Sequence, residues 1–413
     1  LDANALAAGF DRRTLLAGTA ALTLASAIPS SRVERNAHDE HAVLVFVFLR
    51  GGLDALSLCV PHGDPDLYRA RPRTAVPPPG QSGGAIDLDR LHGLAPAAAP
   101  LLGPFRDGRL AFVQAVGSPR PTRSHFDAMR SVETGSAGAL RPATSAGWLA
   151  RLLEHSAARE QAVLRAVSLE VHVPDALAGA RATLAIPDPA RFGVLRDPAD
   201  RSALEHLCRA ARDPAAHPAR DALAAMRTVE AARIVARQPS IGAHYPPGEL
   251  GRKLALAAAW TRARLGVQVL AIDVPGFDMH RELGACDGAM AKKVDELARA
   301  LSAFDRDLGT DARRVTLIAV SEFGRRVAEN ASLGTDHGRG GLAIVLGGGI
   351  RGGRVFGAWP GLAPDRLDEG DVRATTDVRD VLAEAARSAF GPFETERVFP
   401  DHAPATVGFA ERG

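Results

Sequence analysis

Carboxylates and imidazoles recur at the ends of short apolar runs in this chain. Asp54 follows Val43–Leu49, and Asp278 and His280 follow Val267–Ile272. Glu322 follows Val315–Val320, and Asp336 and His337 precede Leu342–Leu346. Oxygen and nitrogen donors without cysteine suit Zn, Mn, Ca or Mg, and the imidazoles favour Zn or Mn. In an extended segment alternate side chains share a face, so Asp278 and His280 can reach one ion. Ser124 adds a hydroxyl where a helix is expected to begin. The helix N-terminus stabilises developing negative charge, which suits a nucleophile or a metal ligand. A Ser at that place also simply caps the helix, and an Asp after a strand often does the same. Recurrence of such groups at one edge of a sheet is what points to a metal site.

The elements that must hold these groups are legible in the hydrophobic pattern. Val43–Leu49 (VLVFVFL) is a continuous apolar run, the mark of a central parallel strand buried on both faces. Leu110–Val116, Val163–Val173, Val267–Ile272, Val315–Val320 and Leu342–Leu346 read as further strands. Leu250–Leu265, Val294–Leu308 and Thr376–Ala389 read as helices; Val294, Leu297, Leu301, Phe304 and Leu308 keep helical spacing. Alternating strands and helices predict an α/β fold with a parallel sheet covered by helices. Such sheets place chemistry beyond the carboxyl ends of their strands.

Other stretches read as excursions. Residues 61–100 are rich in Pro and Gly and predict an extended surface segment, and residues 201–237 predict a helical insertion broken at Pro214 and Pro218. Gly80-Gln81-Ser82-Gly83-Gly84 spells the nucleophile-elbow text but follows Val76-Pro77-Pro78-Pro79, so it lacks the strand–turn–helix context. Gly347–Gly352 spells a dinucleotide fingerprint without a helix after it. The last residues predict a loose tail.

Hydrophobic residues make up 46% and charged residues 24% of 413, which supports one large globular domain over 40–400. The net charge of +2, with both signs interspersed, argues against a nucleic-acid partner. Three cysteines, Cys59, Cys208 and Cys286, are too few for a disulfide framework. Asp11-Arg12-Arg13 opens into the short apolar stretch Ala17–Ile28, with Ala25-Ser26-Ala27 as a cleavage signature. Residues 1–27 therefore predict a twin-arginine signal peptide, and with it a periplasmic or extracellular protein carried by the twin-arginine export machinery without a stable membrane anchor.

Taken with that signal, FLRGGLDAL, VPHGDPDLY, TRSHFDA, GFDMH, SEFGR and TDHGRGG resemble the exported bacterial family called domain of unknown function 1501, in its motif order and over nearly the whole mature chain. That family is similar to the alkaline phosphatase and sulfatase superfamily. The resemblance implies a three-layer α/β/α sandwich with a mostly parallel sheet. It further implies that Asp54 and Ser124 belong with one metal, and Asp278, His280 and His337 with another. Glu322 stands where the superfamily keeps Asp-His-Gly, beside Phe323, which cannot ligate. Asp336-His337-Gly338 carries that text but precedes a strand, where the last His belongs. One metal on Asp278, His280 and His337 is the half that matches best.

The resemblance thus implies a divalent-metal hydrolase of anionic phosphate or sulfate esters, small or polymeric. Ser124 would attack, and Arg50 or Arg123 would hold the anionic group bidentately. The rival expectation is a secreted binding or assembly protein on the same fold, with at most one structural metal.

Overall fold

Strand β1, Val43–Leu49, is buried along its whole length. Val43, Val45, Val47 and Leu49 enter one core, and Leu44, Phe46 and Phe48 the other, so the strand needs helices on both sides. The computed structural model describes residues 42–136, 146–156, 162–188, 202–203, 206, 217–236 and 238–411. The signal peptide expected over 1–27 and Pro214 lie outside the described residues.

The strands after β1 are β2 (Cys59–Val60), β3 (Ile86–Asp87), β4 (Gly93–Leu94), β5 (Leu110–Gly117), β6 (Ala166–Ser168) and β7 (Thr183–Ala185). Then come β8 (Val269–Val274), β9 (Val315–Val320), β10 (Gly341–Gly347), β11 (Val355–Phe356) and β12 (Thr376–Asp377). The main sheet runs β11-β5-β10-β9-β1-β8-β6-β7, with β12 also on β5. β1 is parallel to β8 and β9, and β6 to β7 and β8. β10 is antiparallel to both β9 and β5.

The sequence places Leu342–Leu346 in the parallel alternation, and the structure corrects this. The link from β9 to β10 carries no crossover helix, and only an antiparallel neighbour can do without one. The reversal has a direct consequence for chemistry. It brings the end of β9 and the start of β10 to one sheet edge, where the ends of β1, β5 and β8 also lie.

Six helices matter for the site and the layers: α1 (His125–Thr134), α2 (Trp148–His155), α3 (His217–Ala236), α4 (Glu249–Arg262), α5 (Ala289–Leu308) and α6 (Val378–Phe390). α4 and α5 cover one face, with Leu254, Val294, Leu297, Leu301 and Phe304 in the core. α2 and α6 cover the other, with Trp148, Leu152, Val381 and Leu382. The result is the three-layer α/β/α arrangement with a mostly parallel sheet. The described part of the 201–237 segment, α3, lays Ala225, Val229 and Ala232 into the core beside α4.

Two excursions are better ordered than their composition suggests. Within 61–100, Leu67, Val76, Ala85 and Leu94 are buried, and β2, β4 and β3 pair into a small sheet. Spaced apolar residues anchor that segment between its prolines. The chain end is docked rather than loose: Phe409 is buried, and Glu384 accepts the backbone N–H groups of Val407, Gly408 and Ala410. Gly347–Gly352 leads to β11, so no helix follows it. Among the described residues no helix is long and apolar enough to cross a membrane.

Candidate metal centre

Four loops at the β1, β5, β8 and β9–β10 edge build one cluster. The loop after β8 carries Asp278 and His280, with His280 Nε2 2.9 Å from Asp278 Oδ1. The β9–β10 link supplies His337, whose Nε2 lies 3.1 Å from Asp278 Oδ1 and 3.0 Å from His280 Nε2. The loop after β5 ends at Ser124, and α1 begins with His125. His125 Nε2 faces Asp278 Oδ2 at 3.5 Å; it is buried and makes no hydrogen bond. The ligand atoms of His125, Asp278 and His337 all lie within 4.8 Å of one another.

Close backbone packing makes this convergence possible. Gly51 has a φ of +111°, and a Cβ there would stand 2.5 Å from Asp278 N. A Cβ on Gly334 would stand 2.1 Å from the carbonyl carbon of His280. Both glycines let neighbouring loops press against the Asp278–His280 segment.

The other nitrogen of each ring is held from outside. His125 Nδ1 meets Glu322 Oε1 at 2.7 Å, His280 Nδ1 meets Asp336 Oδ1 at 3.2 Å, and His337 Nδ1 meets the Arg123 carbonyl at 2.9 Å. Carboxylate and carbonyl oxygens can only accept, so these contacts assign the proton of each neutral ring to Nδ1. Three Nε2 lone pairs then face one carboxylate, with no proton among them. Apart from the one N–H that Arg325 gives to Asp278 Oδ1, the groups that face one another here are acceptors, and such a nest suits a cation. Ligand atoms about 2.0–2.1 Å from a tetrahedral Zn stand about 3.3 Å apart, and the separations at Asp278 bracket that spacing. Outer hydrogen bonds that fix the ring tautomer are the usual support of a histidine metal site. The donor set of His125, Asp278 and His337 therefore fits a divalent ion, and His280 Nε2 stands beside it.

Two further residues shape the nest. Arg325 is buried and sends N–H groups to the carbonyls of Gly51, Gly52, Phe277 and Thr335, and one to Asp278 Oδ1 at 2.6 Å. Burial raises the Asp278 pKa, but the hydrogen bond and charge of Arg325 act against it, and the carboxyl lies low, at about 2. Phe323 lies under the rings, 4.9 Å from both His125 and His337 centroids. It forms an apolar floor beneath the two rings.

The structure brings Asp278, His280 and His337 together, and sets Glu322 against His125 Nδ1 and Asp336 against His280 Nδ1. Glu322 is buried and also accepts from Gly51 N at 2.8 Å. Asp54 is not brought in. It is buried against Arg71, which binds both its oxygens, and Ser57 donates to it as well. A charge there is met by a guanidinium, so the Asp54 half of the expected two-metal set does not assemble. Arg50 is likewise engaged, by Asp273 at 2.7 Å and Glu133 at 2.9 Å, and is not free to hold an anion. Arg123 pairs with Asp371 at 2.8 Å. Ser124 caps α1 and accepts from Asp127 N at 3.4 Å.

His125 is the ligand that sequence reasoning missed. Its signal was present: it follows the proposed cap directly, so the first helical turn must face the same edge as Ser124. Arg325 was missed as well, because its role is tertiary.

An α/β sandwich with a histidine-rich metal nest at the carboxyl edge of its sheet is the class this geometry defines. The chain belongs to the family described as protein of unknown function (DUF1501), whose model matches residues 99–391. No curated protein matches the sequence. Similar solved structures include the PsFucS1 sulfatase from Pseudoalteromonas sp., at 11% identity and TM-score 0.36, covering 90% of this chain and 74% of that one. The C-terminal periplasmic domain of EcEptC from Escherichia coli, a complex with Zn, shares 12% identity at TM-score 0.32, covering 90% of each chain. Phosphonate monoester hydrolase SpPMH from Silicibacter pomeroyi shares 8% at TM-score 0.33, covering 88% and 77%. These likenesses are low, and the chemistry of the site rests on its own side chains.

Proposed function

We propose that this chain is a metal-dependent hydrolase of phosphate or sulfate esters with a single centre on His125, Asp278, His280 and His337. The observation that carries the reading is the nest itself: three Nε2 lone pairs around one carboxylate, at the sheet edge where a nucleophile-bearing helix begins. Zn or Mn suits three imidazoles and one carboxylate. Bound there, a divalent ion would supply Lewis-acid stabilisation of charge developing on the ester oxygens.

The chain's own residues do the rest. Ser124 Oγ accepts a long hydrogen bond from Asp127 N at 3.4 Å and is the hydroxyl that would attack. Attack forms the bond from Oγ to phosphorus or sulfur and expels the alcohol; water then frees Ser124. Arg325 fixes the rotation of Asp278 through the reaction, and Phe323 keeps water from the underside of the rings. The Arg12-Arg13 pair, the short apolar stretch Ala17–Ile28 and Ala25-Ser26-Ala27 support a place of action in the periplasm or outside the cell, reached by twin-arginine export.

A second reading is a secreted binding or assembly protein with at most one structural metal. The pairing of Arg50 with Asp273 and Glu133 favours it. Elemental analysis of exported protein, beside His125→Ala and Asp278→Ala, with an ester panel separates the two. One equivalent of metal, lost in both variants, and turnover abolished by Ser124→Ala support the hydrolase. The same metal content with no turnover supports the binding protein. A folded, metal-supplemented sample without metal sinks the metal-dependent hydrolase and leaves the binding protein.

A further inference from the structure

Beside the metal centre three guanidinium groups crowd one buried carboxylate. Asp371 is fully buried, and Arg123 donates to its Oδ2 at 2.8 Å. Arg326 Nε lies 3.7 Å from Oδ1 and Arg339 Nε 3.8 Å from Oδ2. Arg339 also pairs with Asp368, and with Glu369 at 3.0 Å; Arg123 stands 3.7 Å from Glu369. The two arginines are tied to the centre itself. The Arg123 carbonyl holds His337 Nδ1, and Arg339 follows His337 by two residues. A small cleft lined by Thr122, Glu322, Phe323, Gly338 and Arg339 runs from Arg339 to the floor of the metal nest.

The carboxylates on these arginines are of two kinds. Asp371 is permanent, because it has no exposure. Glu369 and Asp368 are 66% and 41% exposed at the side chain. Exposed ion pairs are held weakly and exchange readily with solvent ions. Glu369 also sits at φ +55°, followed by Gly370 at +88°, in a two-residue turn closed by the Asp368–Asp371 bridge. Asn or Gly suits that turn position better than Glu. A glutamate there is explained by what its charge touches.

We propose that Arg123 and Arg339 form an oxyanion subsite beside the metal centre, occupied in this conformation by the chain's own Glu369 and Asp368. The ligand it takes is a tetrahedral oxyanion, sulfate or phosphate, as the anionic group of an ester. Arg123 offers it donors beyond the one given to Asp371, and Arg339 its planar fork. The inference rests on the hydrolase reading and names how that site holds its substrate. Glu369 acts as an internal competitor that must swing away.

The test is calorimetric titration of inorganic sulfate and inorganic phosphate into metal-loaded and chelator-treated protein. Glu369→Gln should tighten binding about fivefold, the scale of one exposed ion pair. Arg339→Gln should weaken it about tenfold or more, since a charge-assisted fork is lost; Arg339→Lys serves as the milder variant if Arg339→Gln does not fold. Unchanged affinity in Glu369→Gln overturns the subsite. So does anion binding that needs metal and ignores Arg339. Turnover with affinity blind to Glu369 sinks the subsite alone. Tighter sulfate binding in Glu369→Gln with no ester turned over sinks the hydrolase reading and leaves the subsite standing.

Discussion

Replacing Glu322 by Gln separates charge from structure at the centre. Glu322 Oε1 accepts from Gly51 N and His125 Nδ1, and Oε2 lies 2.9 Å from Ser321 Oγ. Ser321 Oγ also has the Leu49 carbonyl at 2.5 Å as an acceptor for its proton. A glutamine keeps the oxygen facing Gly51 and His125 and turns its amide toward the free lone pair of Ser321. Every buried partner stays satisfied, so the metal-free protein should lose no more than about 1 kcal/mol. Only the negative charge behind His125 is gone. Removing such outer support costs about 10–100-fold in metal affinity. At about 1.4 kcal/mol per tenfold, that is about 1.4–2.8 kcal/mol of binding. Glu322→Ala differs in kind: it orphans Gly51 N and His125 Nδ1, at about 1–3 kcal/mol each in folding stability. Chelator competition at neutral pH gives the affinities, and denaturant midpoints of metal-free protein give the stabilities. Glu322→Gln with native metal affinity would refute the assignment of His125 as a supported ligand. Glu322→Gln as unstable as Glu322→Ala would refute the hydrogen-bond scheme.

Three further outcomes are expected. Arg71→Met should destabilise the fold by about 3–5 kcal/mol by leaving Asp54 charged and buried, and adding Asp54→Leu should recover much of it in urea unfolding. Metal content per folded double variant should stay native; a loss would return Asp54 to the ligand set. Phe409→Ala should cost about 3–5 kcal/mol and open the chain end to limited proteolysis; resistance equal to the native protein would show that the end is held by Glu384 alone. His92 is buried, and burial holds its pKa below the ordinary value despite Asp89. Its neutral form therefore favours the fold fully above about pH 6.5, and that contribution is lost as pH falls through the lower folded value. Denaturant midpoints measured downward from neutral pH should fall less steeply in His92→Gln; identical slopes would refute this.

Much of the frame is written in local pattern. Val43–Leu49 and Val315–Val320 are strands with the boundaries their apolar runs imply, and Val294–Leu308 lies within α5 with its spaced residues buried. Ser124 caps a helix where its hydroxyl at the head of SHFDA implied one. Period and capping are local physics, so the chain states them directly. Asp278, His280 and His337 were legible as candidates for a related reason: their types and places beside strands are visible without a fold.

Which groups meet was decided only in three dimensions. Asp54 and Asp278 both follow strands, yet one meets Arg71 and the other meets three imidazoles. Glu322 and His125 are 197 residues apart and within hydrogen-bond reach because β10 runs antiparallel between β9 and β5. The docking of Phe409 and the pairing of Arg50 with Glu133 depend on the same long-range packing. The sequence by itself determined the residue types, the strands and the edge at which chemistry gathers, because these follow from short-range periodicity. Only the tertiary structure chose one nest over two half-sites, because strand direction and loop contact fix which lone pairs share a space.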